Sequence, residues 1–206
     1  MIKKYFAALS ATALIGVAPY ALAASSTDLT VTGLITPNAC TPSLSDGGLV
    51  DVGKVEVKDL NPTQYTVVGR QPMQLTVACD ASTLFALNGI DNKAGTSSSD
   101  LYFGLGLTSN NEKIGYFTPL IRSALADGQP AHSIRSIDNG ASWHRIYQIL
   151  KKSLTSTSVV GTLIPIAVKD LTVELTVQTV IARADSLTLT DDVAIDGSAT
   201  FEMKYL

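Results

Sequence analysis

The chain has 206 residues, 46% of them apolar, with 15 basic and 18 acidic side chains and a formal charge of −3. That balance lacks the basic footprint that nucleic-acid binding requires. Two cysteines and two histidines leave little material for a metal centre or a redox motif.

Residues 1–23 read as a secretory signal. Lys3 and Lys4 give the positive start, residues 6–18 the apolar run, and Ala21-Leu22-Ala23 the small-residue cleavage site. The mature chain is expected to begin at Ala24. It then has 183 residues and, without the two signal lysines, 13 basic against 18 acidic groups, a formal charge of −5. One domain accommodates that length. No later segment is long and apolar enough for a bilayer span, so the exported product is expected to be soluble.

From there, short alternating runs follow one another between turn residues. Leu29-Thr30-Val31-Thr32 leads through Gly33 into Leu34-Ile35, and Pro37-Asn38 precedes Cys40. Val50, Val52, Val55 and Val57 make a second run, interrupted by Gly53 as by a bulge. Met73, Leu75, Val77 and Cys79 alternate with polar or small neighbours, and residues 101–107 are expected to form a central strand. Residues 143–152 suit either a short helix or a strand. The clearest alternation is Leu171-Thr172-Val173-Glu174-Leu175-Thr176-Val177, with a weaker start at Leu187 and Leu189. Turn signals fall at Ser45-Asp46-Gly47-Gly48, Asn92-Lys93-Ala94-Gly95, Ser109-Asn110-Asn111, Asp127-Gly128-Gln129-Pro130 and Asp138-Asn139-Gly140. Strands at this spacing predict an all-β antiparallel sandwich.

The sequence closes on Ala199-Thr200-Phe201-Glu202-Met203-Lys204-Tyr205-Leu206. Ala199, Phe201, Met203 and Tyr205 fall on one face of a half-buried strand, and Thr200, Glu202 and Lys204 on the other. A strand this apolar needs neighbours, from earlier in the chain or from another molecule. Cys40 and Cys79 both lie in the exported part. In an oxidising compartment they are expected to form one disulfide, worth about 4 kcal/mol in the loop-entropy account.

Together these features resemble the subunits of chaperone-usher fimbriae, the bacterial pilins. The stretch from Gly33-Leu34-Ile35 to Cys40 is similar to their first strand. Asp51-Val52-Gly53-Lys54-Val55, Leu60, Gly69 and Pro72-Met73-Gln74-Leu75-Thr76-Val77-Ala78-Cys79-Asp80 are similar to their second block, and residues 199–205 to their closing motif. The middle, about 90–185, carries no family motif. The resemblance implies an immunoglobulin-like β-sandwich lacking its final strand. It divides the chain into the signal (1–23), an N-terminal donor-strand extension (24–32) and the pilin-like domain (33–206). It further implies Leu29 and Val31 as donor-strand anchors, and Gly33 where donor passes into first strand. Phe201, Met203 and Tyr205 would line an acceptor groove, and the carboxylate of Leu206 would anchor the chaperone. The implied partners are a periplasmic chaperone, an outer-membrane usher, and other subunits or further copies of itself. Met73 stands where the family often has an aromatic residue, Gly197 is unusually near the end, and the chain exceeds a typical major subunit. It reads as a minor or divergent member.

Chemical sites are weak by comparison. His132 lies near Ser133 and Asp138, and His144 near Ser142, but no Gly-x-Ser-x-Gly elbow occurs. Asp191-Asp192 and Asp196 sit among turn residues and lack the ligand spacing of a calcium loop. Trp143, Arg145 and Tyr147, with His144 and Lys151-Lys152 beside them, form the one aromatic and basic concentration, a ligand-patch candidate for a sugar or an acidic surface. Lysine and arginine stems lying over apolar neighbours account for such a segment equally well. The expectation is a non-enzymatic subunit, without cofactor or metal. It passes through the periplasm into a fimbrium at the cell surface, completes its fold by donor-strand complementation and serves adhesion, with a host glycan as candidate receptor. The contrasting expectation is a self-complemented carbohydrate-binding sandwich that does not polymerise.

Overall fold

A computed structural model describes residues 39–206. The signal and the donor anchors Leu29, Val31 and Gly33 lie outside the described residues. Ten strands run in chain order: β1 (Cys40–Leu44), β2 (Thr66–Thr83), β3 (Phe85–Asp91), β4 (Phe103–Gly104), β5 (Gly115–Ala126), β6 (Gln129–Ser136), β7 (His144–Arg145), β8 (Leu154–Val159), β9 (Val168–Ile181) and β10 (Ala199–Tyr205). Among the described residues there is no α-helix, and the fold is all-β.

The alternating sequences explain the longest strands. In β9, Leu171, Val173, Leu175 and Val177 are buried, while Lys169 and Glu174 are exposed. Met73, Leu75, Val77 and Cys79 of β2 do the same beside it, because side chains of a strand point alternately to the two faces. The strands form one sheet in the order β1-β2-β9-β5-β6-β8-β3-β10, with β4 beside β5 and β7 beside β6. Every strand pairing in it is antiparallel.

The sheet folds over at the β5–β6 hairpin. Asp127 and Gly128 link the strands with φ of 49° and 77°, the mirror-image turn whose twist matches its flanking strands. The Asp127 carboxylate also accepts the N–H groups of Lys169 (3.0 Å) and Asp170 (2.8 Å). Beyond Ala124↔Ala131, β5 stays with β9, while β6 turns to β8. Side chains of β2 and β9 then share one core with Phe85 and Leu87 of β3 and with Phe201, Met203 and Tyr205 of β10. A smaller core of Leu60, Leu105, Ile114 and Ile181 fills the end where β9 finishes. The result is nearly closed: β1 and β10, the two ends of the strand order, come back towards each other.

The expected disulfide is present. Cys40 and Cys79 face each other across β1 and β2, with an S–S distance of 2.01 Å. Other expectations need correction. Residues 101–107 give only the two-residue β4, with Leu101 and Leu107 exposed, because the Asp91 carboxylate takes the Gly104 N–H and a local turn displaces the ladder. Residues 50–57 form no strand. Val50, Val52 and Val55 are half-buried, but Gly53 has φ 65° and its N–H is taken by the Asp51 side chain at 2.8 Å. Leu187 and Leu189 follow a 3₁₀ turn (Ala184–Ser186) and pack on the smaller core without pairing. In 143–152 the strand alternative holds in part, as β7 and an isolated bridge between Leu120 and Gln148. Val50, Val52 and Val55 are half-buried and Leu187 and Leu189 pack on the smaller core, yet neither segment joins a ladder, whereas Leu101, Leu107 and Val57 are exposed against expectation.

Candidate functional site

The site is the gap between β1 and β10. The Asn92 N–H donates to the Ser198 carbonyl (3.0 Å) and the Leu206 N–H to the Leu84 carbonyl (3.1 Å). Alternate residues of an antiparallel strand turn their backbone groups to one side, so Thr200, Glu202 and Lys204 bond towards β3. Ala199, Phe201, Met203 and Tyr205 therefore turn their backbone groups to the other side, where no described strand pairs with them. These are also the residues whose side chains face the core.

β1 mirrors this arrangement. The Asp80 N–H donates to the Ala39 carbonyl at 3.0 Å, which directs Thr41 and Ser43 towards β2 and Cys40, Pro42 and Leu44 towards the gap. Proline fits there, since an outward-facing edge position needs no N–H. The two edges are joined at one end, where the Cys40 N–H donates to the Tyr205 phenol oxygen at 3.1 Å. From that end they diverge, and a cleft of about 790 Å³, apolar along its floor and bordered by polar groups such as Asp51, Lys54 and Asp192, opens between Leu44 on one side and Phe201 and Ala199 on the other. Met73, Phe117, Pro119, Leu175 and Val177 are among the residues lining it.

Two irregular segments border the cleft, 48–55 and 187–198. The first approaches β2 at Gly69, where an added Cβ would come within 2.9 Å of Val52. The second is fastened more firmly. The Glu112 carboxylate accepts the Thr188 N–H (2.6 Å) and the hydroxyls of Thr188 (2.9 Å) and Thr108 (2.8 Å). The backbone N–H of Thr188, followed by the two hydroxyls, holds the Glu112 carboxyl below its ordinary pKa. Asp196 bonds the Leu105 carbonyl through its N–H (3.0 Å) and pairs with Lys93 through its carboxylate.

Of the residues assigned to an acceptor groove, Phe201 lines the cleft, and Met203 and Tyr205 continue its wall into the main core. Leu206 is 42% exposed and lies beside Gly140 and Trp143. The ligand-patch candidate sits away from the cleft. The Arg145 guanidinium lies 5.0 Å from the centre of the Tyr147 ring and contacts His132 Nδ1, whereas the Trp143 indole N–H donates to the Gly140 carbonyl (3.1 Å). Asp138 accepts the hydroxyls of Ser136 (2.6 Å) and Ser142 (2.5 Å), which hold its carboxyl well below the usual carboxylate range. That arrangement closes a turn. Ser133 is buried and follows His132 directly along β6, so their side chains point to opposite faces.

Two of the features that escaped the sequence reading bear on the site. One is β3, whose Phe-Ala-Leu-Asn-Gly-Ile-Asp stretch lacks clean alternation because Phe85, Ala86 and Leu87 are all buried. The other is the pair Asp91 and Lys151, 3.3 Å apart with side chains 4% and 10% exposed. Asp91 also accepts the N–H groups of Lys93 (3.1 Å) and Gly104 (3.2 Å), fixing the end of β3 to the turn that follows it and to β4. The partners are 60 positions apart, and no spacing rule connects them.

Comparison with known proteins gives relatives and no activity. A family model described as a protein of unknown function (DUF1120) matches residues 29–100. The chain is 28% identical to Protein GltF of Escherichia coli (strain K12) over 232 aligned positions, covering 90% of this chain and 91% of that protein. It is 32% identical to the uncharacterized protein YhcF of the same strain over 108 positions, which take in 41% of this chain and 45% of YhcF. The chain is thus similar to GltF along nearly its whole length and to the DUF1120 model over the part that contains β1, β2, β3 and the disulfide.

Proposed function

We propose that this protein is a structural subunit of a surface fibre of the chaperone-usher kind, in which a strand from another molecule fills the gap between β1 and β10. On this reading the fold is an immunoglobulin-like sandwich lacking one strand. The observation that carries it is the pair of facing edges that no described strand pairs, joined at Cys40 and Tyr205 and separated elsewhere by a cleft with an apolar floor. An inserted strand gains main-chain hydrogen bonds from the edge of β10, while alternate side chains settle among Phe201, Met73 and Val177 and set its register. Function is then mechanical and not catalytic. A periplasmic chaperone would occupy the cleft in transit, an usher would guide exchange, and segment 24–32 of another copy or subunit would replace the chaperone, with Leu29 and Val31 as anchors.

Size-exclusion chromatography of the exported protein, with and without a co-expressed fimbrial chaperone, tests the reading. A soluble one-to-one complex with chaperone and strand-linked oligomers without it are expected, and Leu29→Glu or Val31→Glu should stop oligomer growth with the disulfide intact. A stable monomer that tolerates loss of residues 24–32 would overturn the reading in favour of a self-complemented binding module.

A further inference from the structure

Two groups of exposed apolar side chains lie at opposite ends of the same strands. Before β9 begins, the turn after β8 presents Val159, Val160, Leu163 and Ile164, the last 72% exposed. This turn is tied down by its own hydrogen bonds: Thr162 N–H to the Val159 carbonyl (3.0 Å), Ser158 hydroxyl to the Thr162 carbonyl (3.0 Å) and Ile166 N–H to the Thr157 carbonyl (3.0 Å). Fixed aliphatic side chains on a bonded frame form a preorganised contact surface.

At the other end, where β9 finishes, three tyrosines from separate parts of the chain come together. The Tyr65 and Tyr102 rings lie 5.9 Å and 4.7 Å from the Tyr116 ring, tilted by 49° and 33°. Tyr65 is 51% exposed, with Val57, Val67 and Leu107 also exposed at this end. Burial, then the neighbouring phenols of Tyr102 and Tyr65, push the Tyr116 phenol above its ordinary pKa, which leaves the group uncharged at neutral pH. Tyrosine is enriched among the anchors of protein interfaces.

We propose that the 159–164 turn of one copy seats on the Tyr65, Tyr116 and Tyr102 fan of the next copy, a head-to-tail contact that accompanies strand insertion. The proposal rests on the fibre reading, and chain direction sets its geometry. Ala39, the first described residue, bonds Asp80 at the end where Thr83 pairs with Val168, the end that carries the aliphatic turn. A segment preceding Ala39 that enters a neighbour's cleft therefore brings this end to the neighbour.

The neighbour's contributing end follows from β10. Pro42 interrupts the edge of β1, so β10 sets the direction of the incoming strand, and antiparallel pairing is the arrangement of every other pair in the sheet. A strand antiparallel to β10 leaves the cleft past Ala199. There the Asp196 N–H bonds the Leu105 carbonyl beside the smaller core, at the end that holds the tyrosine fan. Aliphatic end then meets aromatic end at each junction. Such a heterologous contact does not close on itself and propagates a filament.

Cysteine pairing in full-length exported protein tests the contact, since Ile164 and Tyr65 are exposed and their replacement leaves the core intact. Oxidation of oligomers that mix Ile164→Cys and Tyr65→Cys chains should link the two kinds of chain, whereas Ile164→Cys alone should give no link. Ile164→Glu should reduce oligomer yield about tenfold or more, because it places an unpaired charge in an apolar contact, and Tyr65→Lys in the neighbouring copies should restore it. Oligomers whose segment 24–32 cross-links to Met203→Cys, but which show neither the 164-to-65 link nor any effect of Ile164→Glu, would overturn this contact and leave strand insertion standing. Monomers under all conditions would overturn both.

Discussion

Tyr205 and Cys40 hold together the two edges that no described strand pairs: the phenol oxygen of one accepts the backbone N–H of the other at 3.1 Å. Cys40 is also half of the disulfide that fixes β1 to β2. Covalent and hydrogen-bonded ties thus meet at one residue, at the closed end of the cleft. Tyr205→Phe keeps the ring in the core and removes the acceptor. It should cost about 1 kcal/mol, the net worth of one hydrogen bond, and should speed exchange of the Cys40 amide hydrogen. Unchanged exchange at that amide would refute a closing role for the bond.

Loss of the disulfide should be felt more strongly. The Cys40→Ala, Cys79→Ala double variant is expected to lose about 4 kcal/mol, because the bridge closes a long loop in the unfolded chain. The urea midpoint of the oxidised protein, compared with this variant, gives the difference directly. A change below about 1 kcal/mol would mean that the reduced chain keeps β1 against β2 while unfolded.

The sequence made much of this arrangement readable, and the reason is local. Met73 to Cys79 and Leu171 to Val177 alternate because one face of each strand is buried and the other exposed, and the turn at Asp127-Gly128 carries the residues its positive φ values favour. Phe201, Met203 and Tyr205 were legible as a wall for the same reason. What stayed hidden depends on contacts distant in sequence. The burial of Phe85, Ala86 and Leu87 erases the alternation of β3, and Val50 and Val55 pack on the two cores from a segment bent by Gly53 that joins no ladder. β8 was unreadable because Thr155, Ser156, Thr157 and Ser158 are buried despite their hydroxyls, with Ser156 donating to the Phe85 carbonyl at 2.6 Å.

Asp91 and Lys151 provide a sharper test of packing. Asp91→Asn leaves the lysine unpaired where its side chain is 10% exposed, and should destabilise the fold by about 3 kcal/mol or more. Asp91→Asn combined with Lys151→Met should recover part of that loss, because it removes the stranded charge. Denaturant unfolding of the three proteins decides the matter. A double variant no more stable than Asp91→Asn alone would show that the hydrogen bonds of Asp91 to Lys93 and Gly104 matter more than the charge pair.

Glu112 makes the fastening of segment 187–198 sensitive to acid. Hydrogen bonds from Thr188 and Thr108 depress its pKa in the folded protein. The stabilisation is therefore complete above the unfolded carboxylate pKa of about 4.3 and is lost as pH falls through the lower, folded value. Amide exchange at Thr188 should accelerate below about pH 4, and Glu112→Gln should bring fast exchange at neutral pH. An exchange rate independent of pH after correction for intrinsic chemistry would contradict the role given to this carboxylate.

If a strand from another molecule fills the gap as proposed, Pro42 has a consequence for how it is held. Where Pro42 meets the gap, β1 has no hydrogen to offer, while β10 presents an uninterrupted row of donors and acceptors on the same opening. An arriving chain is therefore gripped from one flank and only brushed by the other. On the fibre reading, an added strand would take its alignment from the last strand of the chain, and a mismatch there would have little support from the opposite flank to offset it.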